Sequence, residues 1–377
     1  MKRITLAFDS FKGSFSSLEV AASFAEALRR HVGHCHIDMV EIADGGEGMT
    51  PPIVRACDGE WVECMASDPL GRTIECRYGI IDEGRTAVIE LATASGLTLL
   101  TPDERNPMLT TTYGTGELIA DALRRGCRKV LLGIGGSATN DGGVGLLRAL
   151  GFRFRDSAGC EVKGSGEELM RIATIDDSRA MEALHLVDFV VACDVDNPLY
   201  GASGAAYVYA PQKGADKVMV AMLDEGLRNY GSRLMDYCGY DVSQLAGSGA
   251  AGGVGAAMVA VLGSRLQRGI EVVLDAIAFE HTIADSDLVV TGEGRIDSQT
   301  LHGKAPRGIL DMAAQRGIPV VAVGGSVVWS DELRSCGFSD IVALTDGSIP
   351  VEEAMRPEVT KRNLERVAEY VAQKFLA

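Results

Sequence analysis

The chain has 377 residues, 46% hydrophobic and 23% charged, enough for two ordinary domains that each bury a core. The 36 basic and 52 acidic residues leave a formal charge of −16, which repels nucleic acid and anionic membranes and excludes both as partners. Any anionic ligand must therefore meet local positive charge or a metal in its pocket.

Aromatics, at 6%, offer no stacking platform for single strands. The nine cysteines form no CxxC pair and read as free thiols of a reducing, cytoplasmic compartment. The apolar run before Asp9 is too short for a signal peptide, and no stretch is long enough for a membrane helix.

In chain order, the first predicted element is a strand, Ile4 to Phe8, that breaks into DSFKGS. A helix from about Ser17 to His31 follows. Ser16 and Glu19 supply a capping box, Val20, Phe24, Ala27 and Leu28 an apolar stripe, and Gly33 a stop. A strand over Ile37–Ile42 then enters ADGGEG, and this β-α-β start implies a parallel sheet. EWVECMAS, RTIECRYGII and RTAVIELA come next, parted by turn-like DPLG and DEGR. They predict antiparallel strands with no helix between them.

A helix from about Thr115 to Arg125 and a strand from Lys129 to Ile134 deliver GIGGSATNDGG. DFVVACDVDNPL predicts another strand with an acid-rich exit, and Cys193 within it reads as core. AGSGAAGGVGAAMVAVLGSRL reads as a loop entering a closely packed helix. From Asp287 the β-α rhythm returns in DLVVTGEGRID, IPVVAVGGS and DIVALTDGS, and a helix over Val359–Phe375 closes the chain. Both ends thus read as doubly wound, and the middle does not. The expected architecture is α/β in two α/β domains: a parallel-sheet domain made from residues 1–66 and 280–377, and an inserted mixed-sheet domain over 67–279. The active site is expected in the cleft between them.

Five strand exits break into Asp or Glu, four of them with glycine, and ligands of open α/β sheets bind at the carboxyl ends of strands. Glycine lets the backbone approach a ligand, successive N–H groups form an anion nest, and the acids suit Mg²⁺ between carboxylate and phosphate. No GxxxxGK[ST] or GxSxG occurs. GIGGSA and GSGAAG match loose dinucleotide fingerprints and keep an NAD-dependent oxidoreductase as an alternative, although Asp141 would oppose a bare pyrophosphate. A sugar-acid sensor without turnover is a second alternative. Lys12, Lys213, Arg295 and Lys304 lie in glycine-containing segments where phosphate or carboxylate can be paired. HVGHCHID matches no standard zinc spacing and reads as a surface cluster.

FDSFKGS, ADGGEG, GIGGSATNDGG, ACDVDNPL, APQKGA and TGEGRIDSQTLHGKAP resemble, in order and spacing, the type 1 glycerate kinases over essentially the whole chain. One departure is Tyr209, where the family pattern commonly has Phe. The resemblance implies a flavodoxin-like domain built from both chain ends. It also implies phosphorylation of D-glycerate by ATP with Mg²⁺, giving 2-phosphoglycerate in glucarate, galactarate or glyoxylate catabolism, with 3-phosphorylation as the alternative. A monomer or homodimer is expected.

On that basis the nucleotide phosphates are expected at Gly135, Gly136, Ser137, Asn140, Gly142, Gly249 and Gly252, with Lys213 and Lys304. Mg²⁺ is expected at Asp141 with Asp194 or Glu293. Lys12, Ser14 and Arg295 would hold the glycerate carboxylate, with Asp44 and Glu47 lining the cleft. Asp194, or else Asp297, would take the hydroxyl proton.

Overall fold

The computed structural model describes residues 1–11, 13–43, 48–345 and 347–376. Its strands are β1 (Lys2–Phe8), β2 (Cys35–Glu41), β3 (Glu60–Ser67), β4 (Thr73–Ile81), β5 (Thr86–Glu90), β6 (Lys129–Gly133) and β7 (Arg153–Arg155), followed by β8 (Thr174–Asp176), β9 (Asp188–Ala192), β10 (Arg265–Gln267), β11 (Leu288–Ile296), β12 (Val320–Val327) and β13 (Asp340–Ala343). They divide between two compact units, Met1–Asp44 with Val273–Ala377, and Gly45–Val272.

The first unit is a five-stranded, wholly parallel sheet in the order β13-β12-β11-β1-β2. Counted within the unit this is 2-1-3-4-5, the flavodoxin-like order, whose switch point lies between β1 and β11. Its helix Ser17–His31 begins with the expected capping box: Glu19 N donates to Ser16 Oγ, and Ser16 N donates to Glu19 Oε2 at 2.8 Å. The apolar stripe of that helix buries Phe24 and Leu28 with Phe8, Val290 and Val323. Leu364 and Val367 of helix Pro357–Phe375 complete this core.

The second unit holds a six-stranded sheet, β10-β9-β6-β5-β4-β3, and a small β7-β8 ribbon. β4 runs antiparallel to both β3 and β5, whereas β5, β6, β9 and β10 are parallel. The sequence VLLG of β6 and FVVA of β9 is buried throughout, as strands covered on both faces require.

The boundaries differ from those read in the sequence. β3 pairs with β4 along its whole length, from Glu60 opposite Ile80 to Ser67 opposite Thr73, so residues 45–66 belong to the inserted unit. Strand alternation locates β3 but does not name its partner, and it is the pairing with β4 that moves the boundary. The second boundary falls at Val272/Val273 rather than near 280.

Candidate active site

In the first unit a cavity of about 440 Å³ opens at the switch point. Asp9 leaves β1 and is 8% exposed, and Ser10 N donates to its Oδ1 at 2.6 Å. Ser14 lines the same cavity and its hydroxyl lies 2.8 Å from Thr360 Oγ1. Glu293, Arg295 and Lys304 bring opposite charges to the rim. The opposite wall is apolar, formed by Phe11, Leu344, Ile349, Val351 and Met355. The cavity is thus larger than a three-carbon acid fills.

Several expected roles change in this unit. GEGR is not a loop but the end of β11, with Glu293 opposite Gly324 and Arg295 opposite Ser326. Glu293 was expected at the metal. It is buried, accepts from Thr300 Oγ1 at 2.6 Å and lies 3.1 Å from the Lys304 ammonium. Lys304, expected at the nucleotide phosphates, is the ion-pair partner of Glu293 in this unit. Asp297 is poorly suited to take a proton: one oxygen caps the turn at Gln299 N (2.9 Å) and the other lies 3.1 Å from Arg295 Nε. Lys12, Asp44 and Glu47 lie outside the described residues.

In the second unit a cavity of about 400 Å³ forms beside the carboxyl ends of β6 and β9. Gly135, Gly136 and Ser137 line it, and Gly136 adopts φ +68°, which a side chain would strain. The loop is pinned from outside: Leu97 N donates to Gly136 O at 2.8 Å and Ala138 N to Ser95 O at 2.9 Å. The amides of Gly135, Gly136 and Ser137 meet no acceptor among the described residues, the arrangement of an anion nest.

Lys213 lies against this loop, 2% exposed. Its ammonium donates to Ser137 Oγ at 2.7 Å and to Thr139 O at 2.6 Å. Burial pushes its pKa down to about 7, against a smaller upward pull from Asp141. Asp194 is the carboxylate among the cavity's lining residues, and its Oδ1 accepts from Gly269 N at 2.8 Å. Cys193 packs against the core, as expected, and also lines the cavity, with burial raising its thiol to about 11, so it is not a ready nucleophile. Tyr209 joins the lining and donates to Asn197 Oδ1.

Asp141 is the largest correction. It is fully buried and accepts from Thr112 N (2.7 Å), Thr112 Oγ1 (2.8 Å), Gly143 N (3.1 Å), Gly145 N (3.2 Å) and Thr111 Oγ1 (3.4 Å). Burial raises its pKa, and the bonds from Thr112, Gly143 and Gly145 oppose that rise. With both oxygens engaged, it joins the segments that begin the helices Tyr113–Arg124 and Val144–Ala149 rather than facing a metal.

Asn140, Gly142, Gly249 and Gly252 do not line the cavity either. A Cβ on Gly252 would collide with the Thr139 carbonyl, and one on Gly249 with the Pro198 carbonyl. One on Gly142 would meet the Tyr230 ring. These three glycines permit close packing, while Ala250 and Ala251 beside them reach the cavity. The dinucleotide reading also loses its geometry. After GIGGSA the chain enters no helix until Val144, and no strand directly precedes GSGAAG.

Among the described residues no three His, Cys, Asp or Glu side chains gather as a metal cluster. Asp141, whose oxygens already accept from five donors, does not suit Mg²⁺. One carboxylate, Asp194, beside an anion nest does, because Mg²⁺ is commonly held by one or two carboxylates together with substrate phosphates.

Comparison with known proteins decides the family. A model described as the glycerate kinase family matches residues 4–376. The chain belongs to the glycerate kinase family. A glycerate kinase of Bacillus subtilis is 42% identical over 371 residues, covering 98% of this chain and 97% of its own. A glycerate 2-kinase of Escherichia coli is 42% identical over 325 residues, covering 86% and 85%. The crystal structure assigned to glycerate kinase 2 of Salmonella typhimurium LT2 is 41% identical, with a TM-score of 0.86 over 99% of this chain and 97% of that one.

Of the residues missed in the sequence, Asp9 had a signal, since it ends the first strand and opens the DSFKGS motif. Asn363, which also lines the first cavity, had none: it is one polar residue on a long amphipathic helix.

Proposed function

We propose that this protein transfers the γ-phosphoryl group of ATP to the 2-hydroxyl of D-glycerate. Membership of the glycerate kinase family supports the reaction, and the name of the Escherichia coli relative supports the 2-position. The observation that carries the reading is the nest at Gly135–Ser137 backed by the buried Lys213 amine, which an arriving anion would charge, a local anion site in a chain of charge −16. The nest is suited to triphosphate oxygens, which backbone N–H groups hold without a side chain in the way.

Asp194 would hold the Mg²⁺ accompanying that triphosphate. The ion would neutralise charge on the oxygens of the transferred group. Ser14, Arg295 and Lys304 in the other cavity are suited to a small hydroxy-carboxylate: two cations answer the carboxylate and a hydroxyl answers a substrate oxygen. Phosphoryl transfer demands alignment and charge neutralisation more than covalent help, and the proton leaving the 2-hydroxyl would pass to a carboxylate bordering the cavities, Asp9 or Asp194. We place the reaction in sugar-acid catabolism on the family resemblance.

The deciding experiment follows ADP release by the purified protein with D-glycerate, L-glycerate and no acid, with the product examined by ³¹P NMR. D-Glycerate-dependent release with a 2-phospho product is expected. A 3-phospho product overturns the regiochemistry, and no release with any acid overturns the kinase reading.

A further inference from the structure

We propose that Lys213 is a positioning residue for the phosphate loop, holding the amides of Gly135–Ser137 toward the cavity through Ser137 Oγ and Thr139 O and turning its remaining N–H to a bound phosphate. The proposal rests on the assignment of this cavity to the nucleotide phosphates and goes beyond it in naming what fixes the loop. A lysine ammonium has three protons. Two are used at 2.7 and 2.6 Å, on acceptors that bracket Ala138, and no acceptor for the third is found among the described residues. The side chain is 2% exposed yet borders the cavity, so that proton's outlet is the cavity rather than bulk water.

The route by which Lys213 arrives is also specific. It ends the short turn Pro211–Lys213, and Gly214 follows at φ +99°. A Cβ at Gly214 would collide with the Arg105 carbonyl. The backbone is thus held while the side chain spans to a loop 76 positions earlier in sequence. Lysine is also a costly choice for a purely structural tie, since burying an ammonium without a carboxylate partner is unfavourable. No carboxylate lies within ion-pair distance of it among the described residues, although Asp141 acts on it through space.

Proton uptake should accompany phosphate binding. Burial, partly offset by Asp141, holds Lys213 at about 7, and an anion arriving beside it favours the charged form. The other titratable groups at this cavity are Asp194, Cys193 and Tyr209, with Asp141 behind the loop. Burial raises the pKa of Asp141, Cys193 and Tyr209, so each favours its proton, and none of them supplies the positive charge that a ligand anion needs.

The test is calorimetric titration of ADP without metal, at about pH 8 in two buffers of different ionisation enthalpy, with adenosine as the phosphate-free control. Wild type, Lys213→Met and Ser137→Ala are compared, along with their melting temperatures and KM values for glycerate. Lys213→Met is expected to weaken ADP at least about tenfold and to abolish the proton uptake, with the KM for glycerate unchanged. Ser137→Ala, which keeps the Thr139 anchor, is expected to weaken ADP less and to retain the uptake.

Equal ADP affinity in Lys213→Met, or parallel losses in melting temperature and both ligands with uptake unchanged, overturns the proposal. A wild type that binds ADP through Lys213 but never phosphorylates glycerate keeps it and overturns the kinase reading. Turnover with ADP binding indifferent to Lys213 does the reverse.

Discussion

Replacing Asp141 by alanine separates a buried structural carboxylate from a metal ligand. Four donors lie within 3.2 Å of it: Thr112 N, Thr112 Oγ1, Gly143 N and Gly145 N. The substitution leaves them inside the protein without an acceptor. An unsatisfied buried donor costs about 1–3 kcal/mol, and at the low end four of them sum to about 4 kcal/mol. For a folding unit of this size each kcal/mol lowers the melting temperature by about 2–4 °C, so a fall of roughly 8–16 °C is expected.

Differential scanning calorimetry reads this directly. Activity measured well below the transition should show the same Mg²⁺ half-saturation as wild type. The reasoning is refuted if Asp141→Ala melts within about 2 °C of wild type while its Mg²⁺ requirement rises about tenfold, because that pairing belongs to a metal ligand. Asp141→Asn should fall between the two, since an amide keeps one acceptor oxygen but turns an NH₂ toward the remaining donors.

Asp194→Asn should raise the Mg²⁺ requirement of turnover at least about tenfold, with Mn²⁺ restoring part of the rate; turnover lost equally at every metal concentration would instead mark Asp194 as the proton acceptor. The unfolded chain keeps a proton on Lys213 up to its ordinary value near 10.5, whereas the folded one releases it at about 7. Stability measured by urea titration should therefore rise between these two values in wild type, and Lys213→Met should lack that rise. Gly252→Ala should lower stability by several kcal/mol, on the order of 2–4, because φ +69° is strained for alanine and its Cβ meets the Thr139 carbonyl; an unchanged urea midpoint would contradict the packing role. Glu293→Gln should raise the KM for glycerate less than Lys304→Met does, since the first keeps the cation in the cavity and the second removes it.

Local rules sufficed for much of the fold. The capping box at Ser16 and Glu19, the stripe of the first helix and the apolar runs of β6 and β9 each depend on neighbours within a few residues. So do the alternating strands of the middle region, and the β-α rhythm at both ends suggested the discontinuous sheet in which β1 pairs with β11. The family was legible too, because six separated motifs in order cover the chain. Tertiary structure decided what each motif residue does. Asp141 and Asp194 both follow apolar strands. One is enclosed by donors from Thr111, Thr112, Gly143 and Gly145, and the other borders a cavity. Gly136 and Gly252 are both left-handed, yet one shapes a nest and the other lets two backbones touch. Sequence specifies residue type and spacing along the chain, whereas a metal ligand or an anion nest depends on which groups remain unpaired after distant segments pack, and that is a property of the folded contacts alone.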